Sequence, residues 1–204
     1  MSEKISRTIY GSLYMIIMWL CTYYSEISFR LLFFIIAVVS FYEMRKMRKG
    51  KTKIIAFIYI SIPLFTIQLM SDQTTLILLA FILTWTFDTF AYIFGIKFGK
   101  TKIMPSVSPK KSWEGFIGGF ISTFLVSYII SQYPFSINTE SILSIGLLLP
   151  FTATLGDFIE SYYKRKAKTK DSGKLIPGHG GILDRMDSFM ITIPVLYIYS
   201  KIML

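Results

Sequence analysis

Hydrophobic and polar positions alternate in long blocks along this chain. Seven mostly apolar stretches, separated by short polar connections, cover approximately residues 8–24, 27–43, 54–70, 74–96, 113–131, 142–163 and 186–203. A helix that crosses the hydrocarbon core of a bilayer needs about 20 mostly apolar residues. The pattern therefore predicts an all-α, polytopic membrane protein with about seven transmembrane helices.

Composition supports this fold class and bounds the domain organisation. Hydrophobic residues make up 53% of the 204 residues and charged residues 17%, whereas soluble domains carry about 25% charged residues. We predict one integral membrane domain over residues 1–204. Its N-terminal spans occupy about 1–73, and the spans and loops that carry the candidate chemistry occupy about 74–204. Cys21 is the one cysteine, which excludes an internal disulfide.

Lysine and arginine fall on alternate connections. Two precede span 1, six follow span 2, five lie between spans 4 and 5, and seven lie between spans 6 and 7, which makes 20 of the 22 basic residues. Because positively charged loops stay in the cytoplasm, we expect a cytoplasmic N-terminus and a C-terminus outside. These loops also explain the net charge of +10 without a nucleic-acid partner.

Carboxylates inside apolar spans are costly and mark functional positions. Asp88 lies in the fourth span, and Asp157 and Glu160 lie in the sixth, all towards the predicted cytoplasmic end. Past the loop that follows, Asp184 and Asp187 are three residues apart and share one face if that segment is helical. The spacing predicts several acidic side chains around one cavity that opens to the cytoplasm.

The sixth span also predicts a polar helical face. Its acidic, hydroxyl and basic side chains fall at i, i+3, i+4 and i+7, namely Asp157, Glu160, Ser161 and Lys164. Clustered carboxylates repel one another unless a cation holds them, and oxygen ligands suit Mg²⁺. The alternative is a set of structural ion pairs, Asp157 with Lys164 and Asp184 with Arg185.

Two of the basic connections carry groups that bind phosphates. Residues 98–119 combine lysines, hydroxyls and glycines, and in the run SPKKSWEG Ser112 is the predicted N-cap of the next helix. Residues 164–181 hold six basic side chains and then PGHGG, whose glycines let the backbone approach an anion. Gly118 and Gly119 suit either that role or a close helix contact. Together these features predict metal-assisted phosphoryl or nucleotidyl transfer with a lipid substrate.

These motifs resemble those of a known family. The segment SYYKRKAKTKDSGKLIPGHGGILDRMD, 161–187, is similar to the signature of phosphatidate cytidylyltransferases, also called CDP-diacylglycerol synthases. The matching positions are Ser161, Lys164, Arg165, Lys170, Asp171, Pro177, His179, Gly180, Gly181, Asp184, Arg185 and Asp187. Tyr163 departs from the signature, which has an aliphatic residue or Phe there. Upstream, DTFAYIFGIKFGKTKIMPSVSPKKSWEGFIGG resembles a second block of the family, with Ile96 and Lys97 in place of a common Arg.

The resemblance implies that phosphatidate and CTP give CDP-diacylglycerol and pyrophosphate, a step of phospholipid biosynthesis. It implies Asp157, Asp184 and Asp187 as metal ligands, and these three with Lys170 and Asp171 as the catalytic set. The implied substrate-binding residues are Asp88, Ser108, Pro109, Lys110, Lys111, Ser161, Lys164, Arg165, His179, Gly180, Gly181 and Arg185. Mg²⁺ is the implied cofactor, with room for a second, monovalent cation.

The implied partners are CTP, phosphatidate and membrane lipid, and the resemblance is compatible with a homodimer. The implied location is the bacterial inner membrane, with the site facing the cytoplasm. Two alternatives stay open: a related CTP-dependent transferase that acts on an ether lipid or a polyprenol, and a non-enzymatic cation transporter. The clustering of polar groups at one face and the lack of a visible repeat among the spans weigh against the transporter.

Overall fold

The computed structural model describes residues 3–47, 53–173, 175–176 and 180–204. Within these ranges the elements in chain order are α1 (Glu3–Tyr24), α2 (Glu26–Met47), α3 (Lys53–Gln68), α4 (Thr74–Phe98), β1 (Lys102–Met104), β2 (Ser108–Ser112), α5 (Trp113–Ser131), α6 (Thr139–Lys166), α7 (Leu183–Met186) and α8 (Phe189–Met203). A helix covers most of each of the seven predicted apolar stretches.

Four of these helices, α2, α4, α5 and α6, are long and apolar enough to cross a membrane, and α3 and α8 are apolar but shorter. Large apolar side chains point outward from several of them, as Phe34, Phe65 and Ile121 do. Continuous apolar surface of this kind needs lipid around it. The protein is therefore predominantly helical and integral to a membrane, as its sequence predicts.

A small sheet departs from the all-α prediction. Strands β1 and β2 form an antiparallel pair in which Lys102 lies opposite Ser112, within a connection that the sequence predicts only as a loop. The Glu114 carboxylate accepts a hydrogen bond from the backbone N–H of Thr101, 3.0 Å away. At the turn, the Arg165 guanidinium donates to the backbone oxygen of Val107, 3.2 Å away. The hairpin is thereby tied to α5 and to the end of α6.

The start of α5 follows the predicted pattern. Ser112 has extended backbone dihedrals and its hydroxyl accepts a hydrogen bond from the backbone N–H of Gly115, at 3.2 Å. This is the geometry of an N-cap, so the prediction from SPKKSWEG is confirmed. The cap joins β2 directly to α5 and fixes where the lysines of β2 lie.

Helices α4 and α5 approach each other closely, and glycines on α5 make this possible. A Cβ at Gly115 would lie 2.6 Å from the backbone oxygen of Ala91, and one at Gly118 would overlap the Phe94 ring. Gly119 faces Phe87 in the same way. Of the two roles open to Gly118 and Gly119, the structure shows the helix contact.

This contact predicts different outcomes for two alanine substitutions. Gly115→Ala presses a Cβ against the Ala91 carbonyl, so the Tm in detergent should fall, with a loss of about 1–3 kcal/mol. Gly95→Ala is the matched control, because its Cβ would lie 3.6 Å from the nearest atom, the Ser112 hydroxyl oxygen. Its Tm should stay or rise, since alanine favours the helix. Equal Tm values for the two variants would contradict the packing.

Candidate functional site

A cavity of about 900 Å³ lies among α1, α4, the hairpin, α5, α6 and the segment from α7 to α8. Its wall includes aromatic side chains such as Trp85, Phe116 and Phe189. It also includes many charged side chains. The charged side chains on its wall are Asp88, Lys102, Lys110, Lys111, Asp157, Asp184, Arg185 and Asp187.

The carboxylates on this wall come from separate elements. Asp88 belongs to α4, Asp157 to α6, and Asp187 follows the short helix α7. Gly156 lets the last two approach, because a Cβ at that position would overlap the backbone oxygen of Asp187. The Tyr59 hydroxyl, from α3, donates to the Gly156 carbonyl at 2.9 Å and supports the same place. The predicted clustering of acidic side chains around one cavity is thus present.

Asp157 is held by two neighbours. Its Oδ2 forms an ion pair with the Lys111 ammonium, and its Oδ1 accepts from the Ser161 hydroxyl at 3.1 Å. Lys111 reaches across from β2, so the hairpin and α6 meet at this pair. Both side chains are about three-quarters buried, with exposed fractions of 26% for Lys111 and 22% for Asp157. The pair therefore lies in surroundings where charge is only partly screened by water.

Asp184 has a more complete set of partners. Its Oδ1 accepts from the Lys164 ammonium at 2.9 Å. Its Oδ2 accepts from the backbone N–H groups of Ser172 and Gly181, at 2.8 and 2.7 Å, and from the Ser172 hydroxyl at 2.9 Å. Burial acts to raise the pKa of Asp184, but the Lys164 charge and these hydrogen bonds outweigh it and lower that pKa. The side chain is therefore ionised.

The ion pairs differ from those that the alternative reading named. Lys164 pairs with Glu160 at 2.6 Å and with Asp184, and Asp157 pairs with Lys111. The predicted polar face of α6 therefore divides into two i, i+4 pairs, Ser161 with Asp157 and Lys164 with Glu160. The predicted pairing of Asp157 with Lys164 is wrong, because the Lys164 ammonium binds Glu160 and Asp184 instead.

Some predicted site residues lie away from the cavity wall. Pro109 and Lys110 line it, but Ser108 does not. Arg165 uses its guanidinium on backbone oxygens, those of Val107 and Thr169. Lys170 and Asp171 are exposed on the surface of the loop. His179 lies outside the described residues.

The sequence reasoning missed Glu43. This side chain lies near the end of α2 and is almost fully buried, with 2% exposure. Its carboxylate accepts hydrogen bonds from the loop that carries Gly180 and Gly181. An acidic residue inside the apolar helix α2 was a usable signal, but it lies at the edge of the predicted span, beside the basic run, where it reads as part of the polar connection.

The donor set fits a hard divalent cation in its chemistry. Carboxylate oxygens from three elements face one cavity, and Mg²⁺ prefers such ligands. Among the described residues, however, no three acidic, histidine or cysteine side chains are drawn together tightly enough to hold a metal as they stand. Lys111 occupies the Asp157 oxygen that a cation would use, so loading the site requires this ammonium to move.

Phosphatidate cytidylyltransferases of three bacteria are among the known proteins that are similar to this chain. A phosphatidate cytidylyltransferase of Staphylococcus haemolyticus (strain JCSC1435) is 46% identical over 129 residues, 63% of this chain and 50% of that protein. One of Staphylococcus aureus (strain COL) is 43% identical over 136 residues, 66% of this chain and 52% of that protein. One of Thermotoga maritima is 44% identical over 126 residues, 59% of this chain and 47% of that protein.

The chain spans about half the length of the curated relatives it matches. The model of the cytidylyltransferase family matches residues 52–203. This segment contains α3 to α8 and the hairpin, and hence every element of the cavity wall except α1. By this match over most of its length, and by the cavity that the matched segment builds, the chain belongs to the cytidylyltransferase family.

Proposed function

We propose that this protein is a phosphatidate cytidylyltransferase, which transfers CMP from CTP to phosphatidate and releases pyrophosphate. The observation that carries the proposal is the cavity, where four carboxylates and four basic side chains share a wall with aromatic residues. The names of the similar enzymes from Staphylococcus and Thermotoga support the choice of substrates.

The cavity wall has the two kinds of side chain, basic and aromatic, that this pair of substrates needs. A volume of about 900 Å³ is at the upper end of what small-molecule sites use. The basic side chains Lys110, Lys111 and Arg185 suit a triphosphate and a lipid phosphate. The aromatic side chains of the wall suit the cytosine base or the first carbons of the acyl chains. A headgroup that enters from the membrane would then meet the nucleotide beside the charged side chains.

The reaction needs positioning and charge neutralisation more than a base. A phosphate oxygen of phosphatidate attacks the α-phosphorus of CTP, a P–O bond forms, and the bond to the β-phosphate oxygen breaks as pyrophosphate leaves. Because phosphatidate is already an anion, no strong general base is required. In this proposal Lys111 leaves Asp157 and binds a phosphate, and Arg185 neutralises charge on the leaving group.

Mg²⁺ would be held by Asp157, Asp184 and Asp187. When bound, it would neutralise phosphate charge and polarise the α-phosphate. Both oxygens of Asp184 have partners in this structure, Oδ1 the Lys164 ammonium and Oδ2 two backbone N–H groups and the Ser172 hydroxyl, so Asp184 would bind a cation only by exchanging one of them. Asp88, from α4, would complete the acidic side of the cavity.

We also propose that seven helices cross the bacterial inner membrane with the N-terminus in the cytoplasm. The support is the alternation of basic connections, which puts the hairpin and the loop after α6 on the positively charged side. The cavity would then receive CTP from the cytoplasm.

The reaction itself is tested with purified protein in detergent, phosphatidate and Mg²⁺. CTP labelled at the α-phosphate should put label into the lipid phase, and CTP labelled at the γ-phosphate should not, because the β- and γ-phosphates leave together. Diacylglycerol in place of phosphatidate is the control acceptor and should stay unlabelled. Transfer of the γ-label instead would identify a lipid kinase. No transfer from folded protein would reject phosphatidate as the acceptor.

The carboxylate roles are tested by Asp157→Asn and Asp187→Asn. Both should lower kcat by roughly 100-fold or more, because each removes a charge that faces the phosphates, while the Tm stays near that of the unchanged protein. Glu140→Gln is the matched control, since Glu140 is exposed at the opposite end of the helix that carries Asp157. Wild-type turnover in either aspartate variant would remove that residue from the proposed metal set.

The orientation is tested by cysteine labelling in a Cys21→Ser background. Ser136→Cys, in the connection between α5 and α6, should react with a membrane-impermeant maleimide in intact spheroplasts. Lys166→Cys, at the other end of α6, should react only after lysis. Both positions are exposed in the structure, so burial would not explain a difference. The reverse labelling pattern would invert the proposed topology.

A further inference from the structure

A buried carboxylate of α2 is attached to the loop that carries the site. Glu43 Oε1 accepts from the backbone N–H of Ile182 at 3.1 Å, and Oε2 accepts from the N–H of Leu183 at 2.9 Å. The Ser172 hydroxyl lies 2.9 Å from Oε2 as well, and its single proton is shared between this oxygen and Asp184 Oδ2. One side chain therefore joins both ends of the 172–183 segment, although it comes from a helix about 130 residues earlier in the chain.

Ser172 carries this attachment on to the cavity wall. Its hydroxyl lies 2.9 Å from Glu43 Oε2 and 2.9 Å from Asp184 Oδ2. Asp184 in turn binds the Lys164 ammonium, which also binds Glu160. The carboxylate of Asp184 is thus fixed from α6 on one side and, through one hydroxyl, from α2 on the other.

Two glycines of the loop leave room for Glu43. A Cβ at Gly173 would overlap Oε1 of Glu43, and its three nearest atoms would all belong to that side chain. A Cβ at Gly181 would overlap Oε1, Oε2 and the Ser172 hydroxyl oxygen. The second glycine of the HGG motif is therefore required by a neighbour inside the protein.

Burial of the Glu43 carboxylate costs desolvation free energy, so its presence calls for an explanation. A carboxylate with 2% exposure loses its hydration, and in the described part of the chain no lysine or arginine pairs with it. Two backbone N–H groups and the shared Ser172 hydroxyl compensate for that loss. The packing of α2 by itself would require only an apolar side chain at position 43. We therefore explain the carboxylate by the groups of the loop that donate hydrogen bonds to it.

We propose that Glu43 is a positioning residue that sets the place of Asp184, Arg185 and Asp187 for the transfer reaction. The proposal rests on the proposed function and extends it, because Glu43 lies outside the segment 52–203 that the family model matches. The helix pair α1–α2 then serves the chemistry and is more than a membrane anchor.

The first test compares Glu43→Gln with Glu26→Gln. Gln keeps the shape of Glu43 but turns an amide N–H₂ towards groups that themselves donate, so kcat should fall about 10–100-fold, as for outer partners of metal ligands, with little change in the KM for phosphatidate. Glu26 is the matched control, exposed at the opposite end of α2, and its variant should keep wild-type kcat. Wild-type kcat in Glu43→Gln would overturn the proposal.

The second test does not use activity. Amide hydrogen exchange should be faster at Ile182 and Leu183 in Glu43→Gln than in the wild type, with α4 and α5 unchanged. If the wild type transfers no CMP but this local change is seen, the proposed function fails and the structural role of Glu43 stands. If the wild type is active and exchange at 182–183 is unchanged, the proposal for Glu43 is wrong.

A double-mutant cycle covers the case in which Glu43→Gln folds poorly. Gly173→Ala should lower kcat, because its Cβ displaces the Glu43 carboxylate. Glu43→Asp shortens that side chain by one methylene, so adding Gly173→Ala to it should cost several-fold less than in the wild type. Equal costs in both backgrounds would show independent residues and would contradict the proposal.

Discussion

The buried chain of polar contacts from Glu43 through Ser172 to Asp184 and Lys164 is the constraint on which the site depends. Each of these groups would be unfavourable alone in a protein surrounded by lipid. Together they satisfy one another, and each leaves the next with fewer allowed positions. A short segment around α7, which is only four residues long, acquires in this way a defined place beside α6.

Close contacts at three glycines also fix the positions of the elements around the site. Gly156 brings the backbone of Asp187 against α6, Gly115 brings α5 against α4, and Gly181 admits the Glu43 carboxylate. At each of these glycines, the space that a side chain would fill is occupied by backbone atoms or by a buried polar group. The elements that carry the cavity wall are therefore held together by close backbone approaches at these glycines.

The helices and the carboxylate cluster could be predicted from sequence because both follow from local patterns. Apolar runs define the spans, and an acid inside such a run, as at Asp88 or Asp157, stands out against them. The partners of these acids could not be predicted, because Lys111 reaches Asp157 only through the β-hairpin, and the hairpin depends on contacts from Glu114 and Arg165. Glu43 was missed because it lies at the edge of the predicted span beside the basic run, and its partners, two backbone N–H groups and a serine, lie 129 to 140 residues away.

The ion pair between Lys111 and Asp157 has a consequence for how the cavity exchanges its contents. In this structure a lysine of the β-hairpin neutralises a carboxylate of a long helix, so the aspartate has a counter-ion that belongs to the protein itself. Under the proposed function, substrate binding would therefore be an exchange of counter-ions, in which the lysine and the aspartate each give up the other and gain a new partner of opposite charge.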